Sequence, residues 1–311
     1  MPRRFTLRQL EYVVAVGEAG SIVKAAEQVN VSPPSISASI AQLEAEFGVQ
    51  LFVRKHSHGL SLTTGGQVFL KEAARLLADA DALYQTAGDI AEKVRGPLTV
   101  GCLMTFAQIV LPPLRMKFER TFPDVRFRQF ECDQGQLLEM LQRGEIDAAL
   151  TYDLELLQGL TFEPLMQLPA YVMLPAEHRL ATRPSIALRE LVDEPMVLLD
   201  LPYSREYFLS AFQHQGLRPN IAERTPDIAV MRSMVANGFG YGIANMRPLH
   251  NISPDGKPLV FVNLEGPIRP LTMGVLLPNA EHRTQTVQAF TEHCQRFVLE
   301  QRVFGIERVD K

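Results

Sequence analysis

Residues 21–47 read SIVKAAEQVNVSPPSISASIAQLEAEF, and their caps and apolar spacing predict two short helices joined by a tight turn. Ser21 is placed to cap the first helix, whose apolar side is Ala25, Ala26 and Val29. Asn30 stops it, because a short amide side chain tolerates positive φ. Ser32 caps the next helix, with Pro33 and Pro34 in a first turn whose missing amide protons cost nothing. Ile36, Ile40, Leu43 and Phe47 then fall at spacings of four, three and four and form one packing face. The opposite face carries Ser35, Ala38, Ser39 and Gln42, which are short and mostly hydrogen-bonding. Such a face suits insertion into a DNA major groove, and it equally suits the solvated side of a small helical bundle.

The flanking sequence separates these readings. Upstream, Leu7, Leu10 and Val14 repeat at helical spacing and predict an amphipathic helix ending at 17–20. Downstream, 51–54 and 60–63 are short strand-like runs around a 55–59 turn. They predict a β-wing on which Arg54 and Lys55 can meet phosphates. The run AAEQVNVSPPSISASIAQLEAEFGVQLFVR over 25–54, followed by LTTGG at 62–66, resembles the winged helix-turn-helix of LysR-type transcriptional regulators. Pro34, Ser35, Ser37, Leu43-Glu44, Phe52 and Arg54 fit that pattern. Two positions depart from it: Pro33 stands where the family usually has glutamine, and Ala38 where it often has a basic residue. The resemblance implies double-stranded DNA as partner, faced by Pro34, Ser35, Ser37, Ala38, Ser39, Gln42, Arg54 and Lys55. Without a cation at position 38, base readout leans on DNA shape and on the wing.

Bulk composition is consistent with this reading but does not demand it. The 311 residues exceed one typical single-core domain, and 46% hydrophobic with 21% charged residues argues against a disordered chain. Net charge is −4. Residues 1–66 hold six basic against five acidic side chains, a net of +1, which leaves −5 for the remainder. Charge alone therefore says nothing about nucleic acid. Three cysteines, Cys102, Cys132 and Cys294, form no C-x-x-C pair and fit a reducing compartment. MPRRFTLRQL has no apolar run after its basic residues, and no stretch reaches the roughly 20 apolar residues of a membrane span. The expectation is a soluble cytoplasmic protein with no membrane partner.

From 64 to 94 there is no proline, and Phe69, Ala73, Leu76, Ala80, Leu83, Ala87, Ile90 and Val94 alternate spacings of four and three. That period of 3.5 predicts a coiled-coil dimerisation helix. It also resembles the family's linker helix, which implies a homodimer or homotetramer.

Gly96-Pro97 marks a domain boundary. Strands at 98–102, 125–131 and 146–152 alternate with helices at 106–118 and 134–142, predicting a parallel sheet. A second lobe follows from about 166, with strands at 170–174 and 196–199 and helices at 206–215 and 227–236. The chain then returns to the first lobe at 271–277 and ends in a helix at 282–299. The expected fold class is α/β: an N-terminal, mainly α winged helix-turn-helix (1–65), a linker helix (66–95), and a two-lobed α/β domain (96–300). Its lobes are 96–166 with 268–300, and 167–267; a tail covers 301–311. This last domain resembles the family's effector-binding domain, which is similar to periplasmic solute-binding proteins. The resemblance implies a small-molecule effector in the interlobe cleft, contacted by Thr105, Thr151, Tyr203 and Asp227. Phe106, Pro202 and Ser204 flank these in the same loops. Arg205 and the helix N-termini favour an organic anion, whereas Asp227 suits a cation or a hydroxyl group; Thr105, Ser204 and Asp227 also read as plain N-caps.

Other chemistries find little support. The histidines form no H-x-x-x-H pair, and there is no G-x-S-x-G elbow or phosphate-binding GK[ST], so neither a metal, a cofactor nor an enzyme is expected. Gly238, Gly240 and Gly242 lack the strand-turn-helix context of a nucleotide loop and are expected in a turn entering an interlobe strand. Two alternatives remain: a redox sensor through Cys102 and Cys132, and a solute-binding protein with an N-terminal extension. RNA polymerase is the expected protein partner of a regulator.

Overall fold

The computed structural model describes residues 5–55, 59–90, 94–279 and 283–300, with side chains at all of these except 54, 55, 59, 81, 82 and 84–90. It contains two compact units, Met1–Ala87 and Gly88–Lys311.

The smaller unit opens with α1 (Leu7–Ala19), α2 (Ile22–Gln28) and α3 (Pro33–Phe47). Each start has a hydroxyl cap: Thr6 accepts from the Gln9 amide, Ser21 from that of Lys24 and Ser32 from that of Ser35. Gly20 and Gly48 end α1 and α3 in the left-handed region, and Asn30 follows α2 at φ 53°. Leu10, Val13, Val16, Ala25, Ile36, Ile40 and Leu43 meet in one core. Phe47 is a correction to the predicted packing face. It is 41% exposed, its ring 5.4 Å from that of Phe5 and 5.0 Å from that of Phe69.

β1 (Phe52–Lys55) and β2 (Gly59–Leu62) pair antiparallel as the expected wing. Glu44 Oε1 fastens it to α3 by accepting from the amides of Leu51 (2.7 Å) and Phe52 (3.2 Å). Thr63 Oγ1 donates to the Gln50 carbonyl and accepts from the Gly66 amide. A Cβ on Gly66 would lie 2.0 Å from the Leu51 carbonyl oxygen, so only glycine fits there.

α4 is described over Thr64–Ile90, residues 91–93 lie outside those described, Val94 is not helical, and the heptad stripe divides. Ala73 is buried in the winged-helix core, and Phe69 packs against that core. Ala80 is half-buried, whereas Leu76 and Leu83 are 37% and 69% exposed. The side chains of Ala87 and Ile90 lie outside those described. Val94 stands beyond the helix and packs against the core of the next unit.

The larger unit begins with β3 (Gly96–Leu103), α5 (Met104–Ala107), α6 (Leu111–Thr121), β4 (Val125–Cys132), α7 (Gln134–Gln142), β5 (Ala148–Tyr152) and β6 (Leu160–Leu168). The single helix expected over 106–118 is two. Pro112 and Pro113 fit only a first turn, so they start α6 instead of continuing α5. The second lobe comprises β7 (Tyr171–Pro175), β8 (Ser185–Ala187), β9 (Pro195–Leu199), α8 (Ser204–Gln213), β10 (Asn220–Thr225), α9 (Ile228–Ala236), β11 (Gly242–Ala244) and β12 (Leu259–Glu265). The chain returns as β13 (Leu271–Pro278) and ends in α10 (Gln285–Glu300).

The first sheet has the order β4-β3-β5-β13-β6. β3 is parallel to β4 and β5, as expected, whereas β13 is antiparallel to both β5 and β6. The second lobe carries the sheet β11-β7-β12-β8 and the parallel pair β10-β9. β11 corrects the expectation of an interlobe strand, because it pairs with β7 inside the second lobe. At its entrance Gly240 has φ 149°, and a Cβ there would meet the Pro195 carbonyl oxygen at 2.1 Å.

Candidate functional site

On α3 the side opposite the core presents Pro34, Ser35, Ser37, Ala38 and Gln42 to solvent. The Ser37 hydroxyl donates to the Pro33 carbonyl at 3.1 Å, and Ser35 and Ser32 share a hydroxyl contact of 2.7 Å. Gln42 Oε1 accepts from Gln9 Nε2 at 3.0 Å, so α1 holds this side chain. Ser39 differs from its neighbours. It is half-buried, and its hydroxyl is enclosed without a hydrogen-bond partner. The side chains of Arg54 and Lys55 lie outside those described, though their backbone forms β1.

In the larger unit the expected effector residues are sorted by burial. Thr105, in the short helix α5, is buried, and its hydroxyl lies beside the Tyr152 phenol. Phe106 belongs to the first-lobe core, edge-on to Tyr152 at 4.6 Å, because its side of α5 turns inward. Thr151 is likewise enclosed. Its hydroxyl donates to Gln134 Oε1 at 2.7 Å, and Gln134 Nε2 donates onward to the carbonyls of Tyr152 and Leu154.

Pro202 is exposed and Ser204 is buried. Tyr203 takes the unusual backbone φ 65°, ψ −38°, and its ring reaches the first lobe, 3.7 Å from where a Gly135 Cβ would stand. Asp227 is an N-cap, accepting from the amides of Ala229 (2.6 Å) and Val230 (3.3 Å). Arg205 corrects the expectation of an anion-binding cation, since Asp200 (2.8 Å) and Glu206 (2.5 Å) already pair with it. Thr105 and Tyr203 thus approach the interlobe junction, whereas Phe106 and Thr151 support it from behind.

Residues that sequence reasoning missed tie the junction together. Asn245 Nδ2 donates to the Leu168 carbonyl (2.8 Å) on one interlobe connection and to the Tyr207 hydroxyl (3.3 Å). That hydroxyl donates to the Arg269 carbonyl (2.7 Å) on the other connection, and Arg269 pairs with Asp153. Asn245 Oδ1 is buried without a partner among the described residues. No local pattern marks these residues, because their roles depend on two crossovers about a hundred residues apart in sequence.

All three cysteines are free thiols. Burial pushes the Cys102, Cys132 and Cys294 thiols up, which disfavours the nucleophilic thiolate. Among the described residues no group of three or more His, Cys, Asp or Glu is placed to hold a metal ion. No described helix is long and apolar enough to cross a membrane.

Residues 7–67 match the model of the bacterial regulatory helix-turn-helix protein, lysR family, and residues 91–298 match the LysR substrate binding domain. The chain belongs to the LysR family. This LysR protein is 30% identical over 249 residues to the HTH-type transcriptional regulator BsdA of Bacillus subtilis (strain 168), covering 78% of this chain and 86% of BsdA. It is 35% identical to HinK, a LysR family transcriptional regulator from Pseudomonas aeruginosa of known crystal structure. That likeness covers 94% of this chain and 98% of HinK, at a TM-score of 0.63. CbnR, another LysR family regulator, shares the fold at a TM-score of 0.70 and 22% identity, over 94% of this chain and 99% of that one. The LysR protein is accordingly a DNA-binding transcriptional regulator with an effector-binding domain. Neither the redox reading nor the solute-binding reading is favoured.

Proposed function

We propose that this LysR regulator reads its operator through Pro34, Ser35, Ser37, Ala38 and Gln42, with Arg54 and Lys55 on the phosphates. In this reading it dimerises along the exposed part of α4 and responds to a small molecule held between the lobes near Thr105, Tyr203 and Asp227. The winged helix occupies 1–65, the linker 66–95 and the effector domain 96–300. It works in the cytoplasm beside RNA polymerase and catalyses no reaction. The observation that supports this best is the slim, exposed, hydrogen-bonding face of α3 on a helix fixed by its Ser32 cap, Gly48 stop and Glu44 clamp. An effector shifts the regulator only by preferring one arrangement of the lobes or of the dimer.

Gel-shift titration on the DNA upstream of its own gene tests the reading. Ser37→Glu places a carboxylate against the groove and is expected to weaken binding more than a hundredfold without unfolding the chain. Ala38→Arg restores a cation and is expected to tighten binding about tenfold at low salt, steepening the salt dependence by roughly one counterion. No binding by the unaltered protein at low salt refutes the proposal.

A further inference from the structure

Several arginines of the second lobe pair with acids: Arg205 and Arg224 share Asp200, and Arg179 holds Glu194. Two half-buried arginines do not. Arg232 on α9 and Arg247 just after β11 have no carboxylate at ion-pair distance among the described residues. Arg232 donates once, from Nη2 to the Ile252 carbonyl at 2.7 Å, and its Nε is buried with no partner. Arg247 reaches the Phe261 carbonyl at only 3.5 Å, its guanidinium lying 5.4 Å from the Phe261 ring centroid.

Tyr171 links the two. Its ring packs edge-on to Phe261 at 5.1 Å and its hydroxyl donates to the Met246 carbonyl at 2.9 Å, while Ile252, the acceptor of Arg232, bridges Pro258 just before β12, the strand that carries Phe261. Each guanidinium offers five N–H donors, and most of them here are unfilled. Two half-buried guanidinium groups with free N–H donors suit an anion that can accept from both.

We propose that Arg232 and Arg247 form a seat for a small oxyanion on the second lobe, a carboxylate or its sulfate or phosphate equivalent. The planar guanidinium forks match paired oxygens, which an ammonium does not do as well. The proposal rests on Arg232 and Arg247 themselves and not on Thr105, Tyr203 or Asp227. It also differs from the anion site expected at Arg205, which is internally neutralised.

Calorimetric titration of the full chain with benzoate, sulfate and phosphate, at ionic strength fixed with sodium chloride, tests the seat. One saturable site is expected, with half-saturation raised at least tenfold in Arg232→Gln and Arg247→Gln but unchanged in the surface control Arg143→Gln. Tighter benzoate binding identifies an organic acid as the source, and tighter sulfate or phosphate binding identifies an inorganic anion. If the glutamine variants do not fold, phenylglyoxal labelling of the unaltered protein decides: the bound anion must protect Arg232 and Arg247 selectively. Absence of saturable binding, equal response in all variants, or unprotected labelling overturns the proposal.

Discussion

At Gly66 the first turn of α4 passes so close to Leu51 that a methyl group would strike a carbonyl oxygen. Gly66→Ala is therefore expected to destabilise the smaller unit by about 2 kcal/mol or more, as for other forced overpacking, and to loosen the wing. Urea denaturation and the gel shift read the two effects. The Thr-Thr-Gly-Gly motif was visible in sequence, but its reason was not: Thr63 bonds the Gln50 carbonyl and the Gly66 amide across the wing. Asp200 supplies a pH-dependent prediction. Its hydrogen bond from Arg205 chiefly, with that from Arg224, holds its carboxyl below the ordinary value of 3.8, against the opposing effect of burial. The folded state therefore favours the charged form. The resulting stability is complete above the ordinary value and is lost as pH falls through the depressed one. Asp200→Asn should flatten that acid limb, which urea midpoints between about pH 2 and pH 6 will show.

On the scale of elements, the 3.5-residue period along α4 was legible because period is a local property. What each turn of the helix packs against was not. Ala73 and Phe69 serve the winged-helix core, and among the described side chains the rest of the stripe is Leu76, Ala80 and Leu83. Leu83→Glu, at a site 69% exposed, should leave the monomer folded and weaken self-association at least tenfold. Sedimentation velocity at several concentrations measures this; an unchanged oligomer shows that α4 is not the interface. The strands β6 and β10 escaped the sequence reading for a physical reason. β6 contains Glu163 and Pro164 on the first sheet's edge, and β10 is mostly exposed beside β9. β12 carries a short apolar run, LVFVNLE, whose period alone does not separate a strand from a buried helical turn.

Across the whole molecule, polar contacts at the two connections join the lobes beside the apolar packing of Met246, Tyr203 and Tyr207 on the first-lobe core. Tyr207→Phe removes the donor to Arg269 and the acceptor for Asn245, and is expected to lower stability by about 1 kcal/mol. It should also raise amide exchange at both connections, near 168 and 269, while the sheet interiors stay protected. Hydrogen-exchange mass spectrometry checks the pattern; faster exchange confined to α8 would mean that Tyr207 serves only its own helix.

The helix-turn-helix over 21–47 was determined by sequence alone, since caps, stops and apolar period act within a few residues of one another. The parallel β3, β4 and β5 were legible for the same reason. Only the tertiary structure decided which polar groups meet. It enclosed Thr151, neutralised Arg205, joined Asn245 to both connections and, among the described residues, gave Arg232 and Arg247 no acid. Burial and charge pairing depend on residues far apart in the chain, and no local pattern carries that information.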